Sequence, residues 1–414
     1  MKKLVGACIV GQSGGPTAVI NASVQGVVET AMKSDCITRV LGAAYGIKGV
    51  LDDKLYDLGK EDATELALLK HTPSSALGSC RYKLADPDKD DTDYKRILEI
   101  FKKYDVRYFF YNGGNDSMDT CNKISKYMQK VGYECRVMGV PKTIDNDLNG
   151  TDHCPGYASA AKYIATSMAE VWLDTHVYNT GMVTIVEIMG RHAGWLTAAS
   201  ELASLSGCGP DLIYMPETDF DLSDFLDDVG RIYRNTGNCV VAVSEGVHLA
   251  DGSFVSEGKA SATDGFGHAQ LGGLASKLAE AAKLETGAKV RGIELSLLQR
   301  CAAHCASATD VEEAWEAGAA AVEAAVAGMT DKMVVFKCDR EDGAYTCVTS
   351  LEPLEKAANI EKKIPREWIN AAGNGVEPAF LEYVLPLIQG EADAPKENGM
   401  PRFAKLKKVL ATAE

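Results

Sequence analysis

Short apolar runs recur along the first 340 residues, and several lead straight into loops rich in glycine or charged residues. Runs of this length are typical of strands buried on both faces of a sheet. The sequence therefore predicts strands at residues 4–10, 38–44, 106–111, 135–140, 182–188, 239–243, 289–297 and 333–337. Helical spacing predicts helices at residues 19–32, 158–173 and 310–328, and a largely helical region at 351–414 with breaks near Pro365, Gly373 and Pro395.

The order of these elements predicts the fold class. A strand, a glycine-rich loop and a helix follow one another from residue 4, and the same unit begins again at residue 106. Repeats of this unit favour parallel strands joined by crossover helices. We therefore expect an α/β protein with two Rossmann-like, three-layer domains whose mainly parallel sheets face a central cleft.

Composition narrows the possible partners. The chain has 414 residues, a formal net charge of −15 and a pI near 5.0, which argues against nucleic acid or an anionic membrane as the main partner. No apolar stretch reaches the length that spans a bilayer, and the first apolar run lacks a cleavage-like site, so we expect a cytoplasmic protein. The 12 Cys form no C-x-x-C pair and are expected to be reduced. Cys301, His304 and Cys305 are expected to be packing residues and not zinc ligands, because structural zinc takes four ligands and no fourth lies nearby in the sequence.

The loop at residues 139–150 brings a cation, Lys142, close to two carboxylates. Asp145 and Asp147 are two residues apart, so they would share one face of an extended backbone. Two close carboxylates repel, which separates their proton affinities, so one can act as a base while the other binds a metal or orients a partner. A solvated turn rich in Asp and Asn is the alternative that composition alone leaves open.

Other loops that follow predicted strands carry anion-binding features. The glycine-rich loops at residues 11–17 and 112–117 would aim backbone N–H groups and a helix N-terminus at an anion. Neither is a dinucleotide fingerprint, because G-x-G-x-x-G is absent. Arg191 follows another strand, and its guanidinium suits a phosphate or a carboxylate. His192 beside it is expected to be structural, because neither a nucleophile nor a metal partner lies nearby in the sequence.

The segment Pro-Lys-Thr-Ile-Asp-Asn-Asp at residues 141–147 resembles the signature of the 6-phosphofructokinases, and Lys142 resembles their pyrophosphate-dependent branch. ATP-dependent members usually have Gly in place of Lys142. The resemblance implies reversible, Mg²⁺-dependent phosphoryl transfer from pyrophosphate to the 1-hydroxyl of fructose 6-phosphate, a step of glycolysis and gluconeogenesis. It also implies a donor-binding domain made of residues 1–150 and about 299–414, and a fructose 6-phosphate domain at 151–298.

The resemblance also implies roles for individual residues. Asp145 would be the base that takes the hydroxyl proton, and the catalytic set would be completed by Asp116, Lys142 and Arg191. The donor would contact Gly14, Gly15, Arg81, Gly114 and Ser117. The sugar phosphate would contact Thr143, Ile144, Asp145, Asp147, Met189, Gly190, Arg191, Glu245, Arg291 and Arg300. Mg²⁺ would be held by Asn115, Asp116 and Asp147.

Several positions depart from the commonest family pattern, among them Leu297, where many members have His, and Met182, where bacterial ATP-dependent members have Arg. Asn115 stands where the family usually has Asp, and a neutral amide oxygen is a weaker ligand for a hard cation. Asp116 replaces the Gly of ATP-dependent members. Gln25 and Glu29 stand where effector-regulated bacterial members have arginines, and these side chains are unsuited to holding a polyanion. We therefore expect that the allosteric site is absent.

The family resemblance also implies an oligomer and leaves three other functions open. Arg291 would reach the substrate phosphate of a neighbouring subunit, which implies a homodimer or homotetramer. The alternatives are an ATP-dependent phosphofructokinase, a sugar-phosphate sensor without turnover, which Asn115 favours, and a pyridine-nucleotide oxidoreductase, which the missing fingerprint disfavours.

Overall fold

The computed structural model describes residues 3–256, 271–358 and 360–413. Its strands are β1 (Gly6–Gln12), β2 (Ile37–Ala43), β3 (Leu55–Asp57), β4 (Val106–Gly113), β5 (Arg136–Pro141), β6 (Met182–Ile188), β7 (Leu212–Tyr214), β8 (Asn238–Ser244), β9 (Val290–Glu294), β10 (Lys332–Asp339), β11 (Thr346–Pro353), β12 (Lys396–Glu397) and β13 (Met400–Pro401). Its α-helices are α1 (Ile20–Met32), α2 (Ile47–Leu51), α3 (Ala63–Leu68), α4 (Thr92–Lys103), α5 (Asn115–Lys130), α6 (Tyr157–Thr175), α7 (Trp195–Ala198), α8 (Leu222–Thr236), α9 (Leu274–Thr286), α10 (Leu298–Cys301), α11 (Ala308–Val326), α12 (Leu354–Ala357) and α13 (Pro378–Val384).

Within the described residues, the first sheet has seven strands in the order β11-β10-β5-β4-β1-β2-β3. Its strands are parallel except for β3 and β11, which lie at the two edges. Side chains of β1 alternate between its two faces: Ile9 packs against α4 and α5, whereas Cys8 and Val10 pack against α1 and α11. The strand is therefore buried on both sides, which explains its unbroken apolar sequence.

Two glycines allow α1 and α11 to pack closely over this sheet. A Cβ atom on Gly26 would lie 2.0 Å from the carbonyl oxygen of Trp315, and one on Gly318 would lie 2.0 Å from that of Ser23. These distances exclude any side chain at either position. The contact therefore holds α11, which comes late in the chain, against the N-terminal half.

In the part of the chain that the structure describes, the second sheet has four parallel strands in the order β7-β8-β6-β9. On β8, Val240 and Ala242 pack towards α6, whereas Val241 and Val243 pack towards α8 and α9. This is a second three-layer arrangement. The two sheets together confirm the predicted α/β class with two mainly parallel sheets.

The region after β11 differs from the sequence-based expectation. Its longest helix is α13, and the prediction of a largely helical region at 351–414 is wrong. Residues up to Pro353 form a strand that pairs with β10. In the rest of the segment, the prolines and Gly373, which has φ of +76°, interrupt helix formation. Tyr383 packs against Trp195 with ring centroids 5.4 Å apart, whereas the N–H of Ala411 donates to the Leu55 carbonyl at 2.7 Å. This segment therefore contacts both halves of the molecule.

Most predicted strands and helices are present within two or three residues of the expected bounds. The strand expected at 289–297 ends earlier, at Glu294, because the chain turns at Ser296, with φ of +46°, into α10. The domain boundaries expected near residues 150 and 298 stay a prediction. Among the described residues, no helix combines the length and apolar character that crossing a membrane requires.

Candidate active site

A cavity of about 600 Å³ lies between the carboxyl ends of strands from both sheets. In parallel sheets these ends gather at one edge, where ligands bind. Most of the lining residues follow β1, β4 and β5 in the first sheet and β6 and β8 in the second, and Arg300 follows β9. The sequence-predicted residues that line it are Gly14, Gly15, Arg81, Gly114, Asn115, Asp116, Ser117, Lys142, Thr143, Ile144, Asp145, Asp147, Met189, Arg191, Glu245 and Arg300.

Two residues predicted to contact the sugar phosphate do not line this cavity. Gly190 lies behind it with φ of +142°, and its N–H donates to Glu245 Oε1 at 3.4 Å, so it supports a residue of the wall. Arg291 is exposed on β9, opposite Thr184 of β6. Its expected contact with the substrate of a neighbouring subunit stays a prediction.

The loop after β1 is joined to the side chains around it. Gly14 has φ of +75°, and its carbonyl accepts a hydrogen bond from Ser79 Oγ at 2.6 Å. The Gly15 carbonyl accepts from Lys142 Nζ, also at 2.6 Å. Lys142 is 3% exposed, so its ammonium group is held inside the wall of the cavity. A buried ammonium in a fixed position is suited to binding an anion next to this loop.

The turn that carries Asp145 and Asp147 is fixed by the residue between them. Asn146 is fully buried with φ of +54°. Its Nδ2 donates to the Tyr383 hydroxyl at 2.8 Å, and its Oδ1 accepts from the Cys154 N–H at 2.9 Å. Both carboxylates do line one cavity, but the extended backbone invoked to predict this is wrong. The left-handed conformation of Asn146 makes a turn there.

Burial and opposing charges shift the pKa values of this loop. Burial lowers the pKa of Lys142 to about 8, although Asp145 and Asp147 oppose the shift. Burial raises the pKa of Asp145, against the Lys142 charge. Burial, followed by the Asp145 charge, raises the pKa of Asp147 to about 7. The loop therefore holds groups that can exchange protons near neutral pH.

The opposite wall presents charged groups that are only partly buried. Burial raises the pKa of Glu245 to about 7, and burial and the Arg81 charge lower the pKa of Arg300. The guanidinium of Arg191 lies 6.0 Å from the centroid of the Phe254 ring. This wall can supply cations to a phosphate group and a carboxyl group to a hydroxyl.

The residues predicted to hold a metal provide oxygen atoms on one side of the cavity. Asn115 Nδ2 donates to Asp147 Oδ2 at 3.2 Å, while Asn115 Oδ1 is buried and has no hydrogen-bond partner among the described residues. Asp116 lies in the first turn of α5, and all three residues line the cavity. An unpartnered amide oxygen beside carboxylates fits a hard cation such as Mg²⁺.

Four lining residues were not assigned to the site from the sequence, and two of them, His192 and Glu361, carry ionisable groups. His192 Nδ1 lies 3.0 Å from Glu361 Oε1, and the His192 ring stacks on Phe254. Burial is the main cause that raises the pKa values of Asp145 and Asp147, and the negative charge of Glu361 raises them further. Glu361 lies in the C-terminal segment, far from any motif, so no local pattern identifies it.

Three comparisons with known proteins agree with this geometry. A sequence model of the family described as Phosphofructokinase matches residues 7–325. The chain is 45% identical to a pyrophosphate–fructose 6-phosphate 1-phosphotransferase of Halomonas elongata over 96% of this chain and 95% of the relative. It is 46% identical to the protein of that name from Xanthomonas campestris pv. campestris, over 98% and 97%. The crystal structure of a pyrophosphate-dependent phosphofructokinase from Marinobacter aquaeolei matches 99% of this chain and 98% of its own, with a TM-score of 0.89 and 40% identity.

Proposed function

This chain belongs to the phosphofructokinase family, and from that premise we propose that it is a pyrophosphate-dependent enzyme. It transfers a phosphoryl group reversibly from pyrophosphate to the 1-hydroxyl of D-fructose 6-phosphate, which gives fructose 1,6-bisphosphate and phosphate. Nearly full-length relatives that carry this activity in their names support the proposal. The geometry of the cavity supports a role for each group, as follows.

Asp145 accepts the proton of the sugar hydroxyl. It lines the cavity, and the buried Asn146 fixes the turn that presents it. Burial raises the pKa of Asp145 towards the range in which a carboxylate is an effective general base. The Lys142 charge opposes that rise and so favours the carboxylate form, which accepts the proton.

Cations on both walls neutralise charge on the transferred group. Phosphoryl transfer needs little covalent chemistry from the protein, so positioning and electrostatics carry most of the rate. Lys142 and Arg81 contact the donor, and Arg191 approaches the transferred group from the sugar side. The donor's phosphates also meet backbone N–H groups of the loops that contain Gly14, Gly15, Gly114 and Ser117.

Asn115, Asp116 and Asp147 would hold Mg²⁺. The unpartnered Asn115 Oδ1 supports this set. When bound, Mg²⁺ neutralises negative charge on the phosphate oxygens of the donor. The protein's own contribution is to orient these oxygens: Asn115 fixes Asp147 through a hydrogen bond, and Lys362 N–H fixes the Asp147 backbone carbonyl at 2.7 Å.

The sugar phosphate is bound by groups from both sheets. Thr143, Ile144 and Met189 shape its site, Glu245 accepts a sugar hydroxyl, and Arg300 binds the 6-phosphate. Arg291 completes the phosphate site of a neighbouring subunit, so the enzyme is a homodimer or homotetramer. Its exposed position, away from its own cavity, supports this arrangement. A cytoplasmic enzyme is expected, as for other enzymes of sugar phosphates.

Activity is proposed to be independent of effectors. Glu29 is already engaged within its own chain, with Lys33 Nζ at 2.8 Å and Trp315 Nε1 at 3.2 Å. Gln25 beside it is uncharged. A several-fold change in the fructose 6-phosphate saturation midpoint on adding ADP or phosphoenolpyruvate would contradict this part of the proposal.

Lys142 is the observation that favours pyrophosphate as the donor. Its ammonium is fixed on the Gly15 carbonyl of the donor loop, within the cavity that Asp116 also lines. The test is product formation from fructose 6-phosphate and Mg²⁺ with either pyrophosphate or ATP. We expect turnover when pyrophosphate is the donor and none when ATP is the donor. The reverse result would favour the ATP-dependent alternative. Binding of fructose 6-phosphate without turnover on either donor would favour the sensor.

A further inference from the structure

Two cysteines face each other on the edge of the first sheet. Cys338 of β10 and Cys347 of β11 are directly paired in the antiparallel register, and both thiols are free and half-buried. Directly opposed residues share one face of a sheet, with Cβ atoms about 4.5–5.5 Å apart. A disulfide needs a separation of about 3.5–4.5 Å, so a small shift of the edge strand joins the two sulfur atoms.

The surroundings of Cys338 favour its thiolate. Its Sγ lies 3.8 Å from Nδ1 of the buried His153 and 3.6 Å from the Tyr345 hydroxyl. Burial opposes a charge on His153, but hydrogen bonds with Asp152 and Glu313 raise the pKa of His153 well above its usual range. An imidazolium next to a thiol stabilises the thiolate, which is the reactive form.

The pKa of Cys338 agrees with this geometry. The contact with Cys347 contributes most to lowering the pKa of Cys338, and the hydrogen bond with His153 lowers it further. Against the effect of burial, these contacts bring the pKa of Cys338 to about 6. Cys338 is therefore the attacking thiol of the pair, and Cys347 is the thiol that resolves the intermediate.

A metal is a poorer occupant of the same cluster. Asp152, His153 and Cys338 offer three ligand atoms close together. Both oxygens of Asp152, however, accept hydrogen bonds from Arg340 at 2.8 Å, and the second His153 nitrogen lies 2.7 Å from Glu313 Oε2. These oxygen and nitrogen atoms already make hydrogen bonds within the protein, which disfavours metal binding. The thiol of Cys338, in contrast, faces a second thiol with which it can react.

The cluster is connected to the turn that carries Asp145 and Asp147. The Asp152 carbonyl accepts from Lys362 Nζ at 2.6 Å and from the Tyr383 hydroxyl at 2.9 Å. Lys362 in turn donates its N–H to the Asp147 carbonyl, and Tyr383 accepts from Asn146. A change at the thiols can therefore reach the catalytic turn through two short chains of contacts.

We propose that Cys338 and Cys347 are a site of reversible thiol oxidation by a low-molecular-weight disulfide such as oxidised glutathione. The Cys338 thiolate attacks one sulfur of the reagent, which forms a mixed disulfide and releases one glutathione thiolate. Cys347 loses its proton to solvent and attacks Cys338 Sγ, which forms the intrachain disulfide and releases the second glutathione. Two protein thiols are oxidised, and one glutathione disulfide is reduced to two thiols.

The test begins with the linkage itself, which does not depend on the proposed function. Reduced protein is incubated with oxidised glutathione near neutral pH, free thiols are alkylated, and the peptides are mapped by mass spectrometry. A linked peptide containing Cys338 and Cys347, removed by dithiothreitol, is expected. In the Cys347→Ser variant, glutathione should stay attached to Cys338, because the resolving thiol is gone. Recovery of both cysteines as alkylated thiols, or no adduct on the variant, would overturn the proposal.

A matched control uses two other half-buried cysteines. Cys301 and Cys305 lie near each other in the sequence but do not face each other across strands. A Cys301→Ser, Cys305→Ser double variant should form the Cys338–Cys347 link as fast as the wild type. Loss of the link in this variant would show that a different pair initiates the oxidation.

The effect on turnover is measured separately and rests on the proposed function. Oxidation removes the thiol next to His153, so turnover should fall about threefold or more, a typical size for coupling through packed contacts, and should recover with dithiothreitol. A disulfide that forms without any change in turnover would overturn the link to the catalytic turn. An enzyme that is inactive even when reduced would instead contradict the proposed function.

Discussion

The two walls of the active-site cavity hold their charges in different ways. On the wall proposed to bind the donor (the donor wall; residues 14–16, 114–117 and 142), the ammonium of Lys142 is buried and fixed on a backbone carbonyl at 2.6 Å. On the wall proposed to bind the sugar phosphate (the sugar wall; residues 189–193, 245 and 300), Arg191, Glu245 and Arg300 are only partly buried. The Glu245 side chain accepts a long hydrogen bond, 3.4 Å, from the Gly190 N–H.

This difference predicts where the enzyme tolerates change. A buried charge interacts strongly with its neighbours, because little water screens it, and removing it leaves the opposite charges unbalanced. Partly exposed charges are screened, and adjacent cations can substitute for one another. Substitutions on the donor wall should therefore cost more than comparable substitutions on the sugar wall.

Asp145 lies between the walls and sets the largest expected effect. Asp145→Asn keeps the shape of the side chain but removes the base, so turnover should fall about 10²–10⁴-fold. Binding of fructose 6-phosphate, measured by calorimetry, should change little. Asp147→Asn serves as the control: its loss should be partly recovered at high Mg²⁺, whereas that of Asp145→Asn should not. Near-normal turnover of Asp145→Asn would exclude it as the base.

On the donor wall, Lys142→Met should reduce turnover with pyrophosphate about 10²–10³-fold, the usual loss when one charge-stabilising donor is removed. The matched control is Lys337→Met. Lys337 also donates to a carbonyl of the same loop region, Gly150 at 3.0 Å, but it lies near the surface. Equal losses in the two variants would show that burial of Lys142 is unimportant to the reaction.

Asp116→Gly tests donor choice on the same wall. The carboxylate at the start of α5 repels a further phosphate, so its removal should admit ATP weakly and raise the ratio of ATP to pyrophosphate efficiency about tenfold. The measurement is kcat/KM for each donor in the wild type, Asp116→Gly, Lys142→Gly and the double variant. An equal ratio of kcat/KM for ATP to kcat/KM for pyrophosphate in all four proteins would show that Asp116 and Lys142 do not determine the choice of donor.

The loops that line the cavity could be predicted from the sequence because their motifs are local. Each motif follows one strand, and the carboxyl ends of parallel strands meet at one edge, so the strand order brings Gly14, Asp116 and Lys142 together. The buried strands were equally readable, because burial on both faces leaves unbroken apolar runs.

The parts that sequence reasoning missed depend on contacts between distant segments. Glu361 reaches His192 from the C-terminal segment, and Tyr383 fixes Asn146 from more than two hundred residues away. Neither partner lies in a motif. The same segment was expected to be largely helical, but its first residues pair with β10 and its proline and glycine breaks leave only short helices. Tertiary contacts override a weak local preference there.

The pH dependence of kcat/KM for pyrophosphate tests the buried charge directly. Burial lowers the pKa of Lys142 to about 8, and the ammonium form is the one proposed to bind the donor. Activity should therefore be present below pH 8 and fall about tenfold per pH unit above it, as one proton is lost. Ionisation of the substrates is the same for all variants, so the residual activity of Lys142→Met should not show this fall above pH 8. An unchanged fall in Lys142→Met would show that another group causes it.

The smallest effect is expected on the sugar wall, for Glu245→Gln. Burial raises the pKa of Glu245 to about 7, so the carboxyl group is largely protonated below pH 7 and ionised above it. A protonated carboxyl and an amide offer similar neutral hydrogen bonds, whereas an ionised carboxylate binds a hydroxyl about 1 kcal/mol more strongly. The KM for fructose 6-phosphate should therefore be similar in the variant and the wild type at pH 6, and should differ about fivefold at pH 8. The wild type should bind more tightly at the higher pH. A constant ratio of the two KM values between pH 6 and pH 8 would show that Glu245 keeps one protonation state throughout. A loss of activity in Glu245→Gln as large as that in Lys142→Met would contradict the distinction between the two walls.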